Sequence, residues 1–269
     1  MALPLPSSLS PSKVASFKDC ALAFRFSAID HLPEAPSAPA TKGTLVHRAL
    51  ELLFCHQPAE RSLVTALSCL DQARAELSTD PEYTGLELTP EEEADFAADA
   101  ERLLRNYFQL EDPSTVHPIG LELQLEAQVG NLRLRGIIDR LELGPEGELI
   151  VTDYKSGKSP SVNYEQGRLG GVHFYAFLCQ QVLGRRPARV QLLYLSEPLA
   201  IVAEPSEQSV RGLEQRTSAI WTAVERACER EDFRPRVSPL CDWCSFRAYC
   251  PAWGGDPARA SELLPAGTV

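Results

Sequence analysis

Two textures divide the chain. Up to Phe108 the apolar residues recur at the three- and four-residue spacing of amphipathic helices, and from Leu121 they gather into short runs of Leu, Ile and Val. In the first part, Ser10 or Ser12 can cap a short helix carrying Val14 and Phe17. A stretch of Pro, Ala and Ser from Pro33 to Ala40 reads as a loop, and it leads into a helix through Thr41–His47, Ala49, Leu50, Leu53 and Phe54. Another amphipathic helix is expected in the sixties and seventies. Thr89-Pro90-Glu91-Glu92 combines a capping box with proline at the first helical position, and opens a helix carrying Phe96, Leu103, Leu104 and Phe108.

In the second part, Leu121–Ala127, Leu132–Leu143 and Leu149–Tyr154 read as strands, with Gly144-Pro145-Glu146-Gly147 as the turn between the last two. A helix with Val172, Tyr175, Ala176, Cys179 and Val182 on one face ends at Gly184. Strands are expected near Val190–Leu195 and Ala200–Ala203, followed by a long helix carrying Val210, Leu213, Ile220, Trp221 and Val224. No internal repeat is present. The order predicts one α/β domain over residues 1–269, with a helical N-terminal part and a C-terminal segment that carries cysteines.

Composition narrows the class. The 269 residues are 44% hydrophobic and 23% charged, which is ordinary for a globular protein and enough for a core without disulfides. No apolar run reaches the length of a membrane span, so no membrane partner is expected. Met1–Ser12 is rich in Pro and Ser with no basic residue ahead of its few apolar ones, which does not read as a signal peptide; the expected compartment is the cytoplasm. A net charge of −11 argues against a protein that coats nucleic acid by neutralising phosphates. It permits an enzyme that holds nucleic acid in a local basic groove and lets metal ions face the phosphates.

The eight cysteines are unevenly placed. Cys55, Cys69, Cys179 and Cys228 lie in helical patterns and read as small buried hydrophobes. Cys241, Cys244 and Cys250 fall within ten residues, a spacing that can aim two thiolates at one metal with a third about a helical turn or more later. Cys20, in Phe17-Lys18-Asp19-Cys20-Ala21, is the candidate for a fourth ligand. Such a set would staple the two chain ends together, and both Zn²⁺ and an iron–sulfur cluster accept it.

The predicted hairpin around Glu146 carries the chemistry. In a regular antiparallel pair, residues that face each other have numbers with a constant sum, here about twice the turn centre. Asp139 and Asp153 satisfy that sum, and Lys155 shares their face by the two-residue alternation of a strand. Two carboxylates and a lysine among Ile138, Ile150 and Val151 need partners, which a divalent metal would supply. The plainer alternative is a surface hairpin with a solvated ion pair. Glu126, on the preceding strand, is a further acid that could support the site.

Gly136-Ile137-Ile138-Asp139-Arg140 followed by Val151-Thr152-Asp153-Tyr154-Lys155-Ser156-Gly157 resembles the core of the PD-(D/E)xK nucleases, and in particular their RecB-like exonuclease branch. Gly43-Thr44-Leu45-Val46-His47 is similar to the branch's upstream histidine motif, and Cys20 with Cys241, Cys244, Cys250 and the trailing Pro251 is similar to its four-cysteine pattern. The resemblance runs from Ser10 to about Trp253. It implies a restriction-endonuclease-like α/β core at 41–235, with iron–sulfur staple segments at 10–30 and 236–255. It implies that His47, Asp139, Asp153 and the Tyr154 carbonyl bind Mg²⁺ or Mn²⁺, that Lys155 acts on the attacking water, and that Tyr175 belongs to the site. The same resemblance implies a [4Fe-4S] cluster on the four cysteines.

The implied activity is metal-dependent DNA exonuclease action on single-stranded ends, in repair and recombination or in CRISPR adaptation, where a helicase or integrase would be the partner. Lys42, Arg48, Arg135, Arg140, Lys158 and Arg168 are candidate phosphate contacts. The branch usually has glutamine four residues before the tyrosine of the following helix, and this chain has Gly171 there. That departure keeps a second reading open, a weakly active or inactive DNA-binding or assembly subunit with the nuclease fold. A zinc-ribbon scaffold on an unrelated domain would explain the cysteines without the facing aspartates.

Overall fold

The computed structural model describes residues 2–159 and 165–263, with the side chains of 165–169 outside the description. The chain forms two compact units. One comprises residues 1–35, 126–135 and 211–269, and the other residues 36–125 and 136–210.

The larger unit is an α/β sandwich of helices on a sheet. Helix α3 (Ala38–Cys55) packs with α4 (Leu63–Leu77) and α6 (Pro90–Tyr107), and their apolar faces meet in one core. Leu45, Ala49, Leu50 and Leu53 of α3, Ala66 and Ala73 of α4, and Leu104 and Tyr107 of α6 are without solvent exposure there. Their three- and four-residue spacing is why these segments fold as helices. The capping box at Thr89 forms as the sequence predicts: Thr89 Oγ1 accepts from Glu92 N, and Glu92 Oε2 accepts from Thr89 N. Between α4 and α6 lies a short helix, α5 (Pro81–Thr84), that the apolar pattern does not announce.

The sheet has the strand order β1-β2-β3-β4-β5, comprising β1 (Pro118–Val129), β2 (Leu132–Leu143), β3 (Leu149–Lys155), β4 (Arg189–Tyr194) and β5 (Leu199–Ala203). Strands β2 and β3 are antiparallel in the expected register, with Arg140 against Thr152, Leu141 against Val151 and Leu143 against Leu149. Each of these pairs has the numerical sum that puts Asp139 opposite Asp153. Strands β3 and β4 run parallel, joined through helix α7 (Glu165–Leu183), as a parallel pair requires a crossover. Tyr154, Leu193 and Leu195 extend the helical core onto the sheet.

The smaller unit contains α1 (Pro11–Asp19), α2 (Ala21–Ala28), α8 (Glu207–Arg230, of which 211–230 lie in this unit) and a C-terminal run of 3₁₀ turns from Pro239. Ser10 caps α1 by accepting from Lys13 N. Cys20 sits in extended backbone at the junction of α1 and α2; Phe17, Lys18 and Asp19 belong to the end of α1 rather than to a loop. Among the described residues no helix is long and apolar enough to cross a membrane.

Leu50 is fully buried in α3 and Val64 is 79% exposed in α4. Leu50→Ala is expected to lower unfolding stability by about 3 kcal/mol, through lost transfer energy and the cavity left behind. Val64→Ala should stay within about 0.5 kcal/mol of the parent. Urea denaturation followed by circular dichroism checks both values.

Candidate active site

Helix α3 and strands β1, β2 and β3 bring their polar residues to one place in the larger unit. His47 projects from α3 with its Nε2 3.1 Å from the carbonyl oxygen of Tyr154. A carbonyl can only accept, so this contact puts a ring proton on Nε2. Nδ1 is 3.5 Å from Asp139 Oδ2 and 4.0 Å from Glu122 Oε1. Asp139 Oδ2 also accepts the backbone N–H of Tyr154 at 2.7 Å, which fixes the carboxylate's orientation. Asp153 is 3% exposed; its Oδ1 accepts the Tyr175 hydroxyl at 3.0 Å from α7, and its Oδ2 is ion-paired with Lys155 Nζ. The structure therefore brings together His47, Asp139, Asp153, Tyr154, Lys155 and Tyr175.

Two glycines allow the elements to meet. A Cβ on Gly43 of α3 would lie 2.9 Å from Ser156 Oγ, and one on Gly136 of β2 would lie 2.8 Å from Leu178 Cδ1 of α7. At both positions a larger residue would require the end of that neighbouring side chain to shift.

Glu122 is the acid that sequence reasoning missed. Glu126, named instead, is paired with Arg133 at 2.8 Å in the smaller unit and does not join this set. The signal was present: the β1–β2 turn lies at Gly130 and Asn131, so the register sum that pairs 129 with 132 also pairs 122 with 139. Glu122 has φ +44°, a left-handed conformation within a strand that is costly for a residue with a side chain.

The cost of gathering these acids shows in their proton affinities. Burial, and then the charge of Asp139, push the Glu122 carboxyl up to about 7. Burial, and then the charge of Asp153, raise Asp139 as well. The Tyr175 hydroxyl is held protonated far above its usual range by burial and by the carboxylates. Among the described residues, His47, Glu122 and Asp139 are the group whose ligand atoms all lie within 4.8 Å of one another. One imidazole nitrogen with several carboxylate oxygens is a donor set that suits Mg²⁺ or Mn²⁺, so these residues fit a divalent cation.

The candidate phosphate contacts fare differently. Lys42 is bound to Asp99 at 2.7 Å, and Arg48 to Glu51 and Glu76 at 2.7 Å each. Arg140 has no solvent exposure and belongs to the interior, and Arg135 lies in the smaller unit. Lys158 is exposed, while the side chain of Arg168 lies outside the described residues.

In the smaller unit, Cys20, Cys241, Cys244 and Cys250 line one cavity of about 240 Å³, with Phe246 and Trp253 in its wall. All four are unpaired thiols of intermediate exposure. Burial, and then the neighbouring Cys20, Cys241 and Cys250, raise the thiol of Cys244. Cys69, Cys179 and Cys228 are buried as expected, but Cys55 is exposed at the end of α3. The helical pattern placed Cys55 inside; the helix ends there and turns it outward.

A family model described as the PD-(D/E)XK nuclease superfamily matches residues 8–251. A curated relative, the Gene 69 protein of Mycobacterium phage L5, is 25% identical over 136 residues, which is 49% of this chain and 44% of that protein. The match thus spans less than half the relative's length. Among solved structures, a crystal structure from Eubacterium rectale, whose name assigns it provisionally as an exonuclease, is similar with a TM-score of 0.56 and 11% identity. That similarity covers 88% of this chain and 86% of the other, and it is a likeness of fold.

In the cation-free protein, the raised carboxyl of Glu122 means that the folded state binds more protons than the unfolded state between the ordinary carboxylate range and about pH 7. Stability therefore falls as pH rises through that window. Glu122→Gln should flatten this decline and be the more stable protein at pH 8, by about 1 kcal/mol after discounting for solvent screening. The advantage should vanish near pH 4. Thermal melts in chelator across pH 4–8 check the sign, and added Mn²⁺ should stabilise the parent more than the variant.

Proposed function

We propose that this chain, which belongs to the PD-(D/E)XK nuclease superfamily, is a RecB-like, metal-dependent DNA exonuclease acting on single-stranded ends, with a [4Fe-4S] cluster as a structural staple. The observation that carries the reading is the convergence of His47, Glu122, Asp139, Asp153 and Lys155 within one unit of the family's fold.

His47, Asp139, Asp153 and the Tyr154 carbonyl would hold Mg²⁺ or Mn²⁺, with Glu122 as a further carboxylate donor. Bound there, the cation would neutralise the carboxylates and supply Lewis acidity toward the phosphate and the attacking water. The protein's own groups do the positioning. The Tyr154 N–H orients Asp139, the Tyr175 hydroxyl orients Asp153, and the half-exposed Lys155 places its ammonium where the scissile phosphate would approach. In hydrolysis the water oxygen bonds to phosphorus, the bond from phosphorus to the leaving sugar oxygen breaks, and that oxygen takes a proton. Lys155 orients the water and stabilises the charge that develops on the phosphoryl oxygens.

The four cysteines support the cluster reading. All four line one cavity of the smaller unit, as residues that share one metal centre must. The cluster joins sequence-distant segments, so chain constraint accounts for it without redox chemistry. A helicase or an integrase of CRISPR adaptation fits as partner to such a nuclease.

Gly171 favours a second reading, a weakly active subunit. An added Cβ there meets no atom within 4 Å among the described residues, so nothing blocks the first atom of a side chain.

End-labelled single-stranded DNA with Mn²⁺ is the decisive assay for anaerobically purified protein. The parent should degrade it from an end, and Lys155→Ala should slow cleavage by about 10²–10³-fold. Asp153→Ala should do at least as much, while both variants keep the visible absorbance of the cluster. No cleavage by folded, coloured parent protein would support the second reading, and Gly171→Gln should then restore activity. Cys20→Ala should lose the absorbance and melt lower, whereas Cys55→Ala should change neither.

A further inference from the structure

Arg140 has no exposed surface, yet it carries a full charge into the core of the larger unit. Its guanidinium is ion-paired with Glu111, with Nη2 2.9 Å from Oε2, and its Nε lies 3.0 Å from Glu142. It donates to Thr152 Oγ1 at 3.0 Å and to the Tyr154 hydroxyl at 2.8 Å, and it lies over the Phe54 ring at 4.7 Å. Thr152 in turn accepts from Gln191 Nε2 at 2.7 Å on β4.

Stability alone is a weak reason for this arrangement, because replacing buried ion pairs by well-packed apolar residues is often neutral or stabilising. Its position is more telling. Arg140 stands opposite Thr152 in the hairpin and follows Asp139 in sequence. Its two β3 partners, Thr152 and Tyr154, flank Asp153 and point to the opposite side of that strand. Holding both on the core side leaves Asp153 on the other. A one-residue slip would bury Asp153 in the helical core and expel Tyr154. The grip on Tyr154 reaches the site directly. Its backbone N–H orients Asp139 and its carbonyl receives His47 Nε2–H.

We infer that Arg140, anchored by Glu111, is a positioning residue: it locks the register of the β2–β3 hairpin and the placement of Tyr154, and so aims Asp139, Asp153 and His47 at one point. The inference rests on the reading of that point as the cation site.

The test compares Arg140→Met, Arg140→Lys and Tyr154→Phe with the parent, each first shown to be folded by circular dichroism. One readout is Mn²⁺ affinity by calorimetry. The other is the ring nitrogen shifts of His47 in cation-free protein, assigned by loss of the signal in His47→Gln; these report which nitrogen carries the proton. The parent should show the Nε2–H form. Arg140→Met should bind Mn²⁺ at least tenfold more weakly and lose the single tautomer, with kcat reduced and KM for DNA within about twofold. Arg140→Lys should recover part of the affinity. Tyr154→Phe removes only the hydroxyl contact, should weaken Mn²⁺ by about threefold, and decides the matter if Arg140→Met does not fold. Folded Arg140→Met or Tyr154→Phe with parental Mn²⁺ affinity and parental His47 tautomer overturns the inference. If the parent binds Mn²⁺ but cleaves no DNA, the nuclease reading fails while both readouts still judge Arg140.

Discussion

Mutual repulsion among carboxylates is the constraint around which the larger unit is built. Asp139 and Asp153 are almost wholly buried, Glu122 is half-buried beside them, and no one of them would choose such company. They are kept together by bonds that belong to the backbone and to rigid elements. The Tyr154 N–H holds Asp139, the Tyr175 hydroxyl on α7 holds Asp153, and Glu122 keeps its place beside them at a left-handed φ of +44°. These contacts offset part of what burial and repulsion cost the carboxylates, and the cost that remains is the usual relation between a strained polar cluster and a function.

The way β3 divides its neighbours explains how a core can carry such a site. Tyr154 lies among the side chains of α3, α4 and α6, with its ring 5.9 Å from that of Tyr107 and 5.8 Å from the His47 imidazole. Asp153, one residue earlier, meets Tyr175 of α7 on the other side. The dry core thus ends at the edge of the charged cluster without a gap. The same strand that supplies apolar contact to the helices supplies the carboxylate and the lysine to the site.

Much of this was legible in the sequence, and for a physical reason. Period-two alternation and a short turn fix hairpin register without reference to the rest of the chain, so the pairing of Asp139 with Asp153 follows from counting. Helix caps such as Thr89 are local in the same way. What was lost depends on tertiary surroundings. Arg140 reads as a surface cation until Glu111, Glu142 and Phe54 are known to enclose it. Lys42 and Arg48 read as free until Asp99 and Glu76 are found against them. Glu122 was within reach of the same counting applied to the β1–β2 turn.

These neutralised cations bear on how DNA could be held at all. With a net charge of −11, and with Lys42, Arg48 and Arg140 already satisfied by acids, little positive potential is left over for phosphate around the site. Of the candidate phosphate contacts and Lys155, among the described residues Lys155 and the exposed Lys158 remain, and Lys155 shares its charge with Asp153. A polyanion would therefore meet net repulsion from the cation-free cluster. A divalent cation held by His47 and the carboxylates would change that balance in two ways: it would relieve Lys155 of sole duty to Asp153, and it would turn an acidic cluster into one that can face a phosphate. On this argument the cation would be as much the condition for binding a polyanion as for hydrolysis, because the acids that make its site costly to fold would otherwise repel a phosphate.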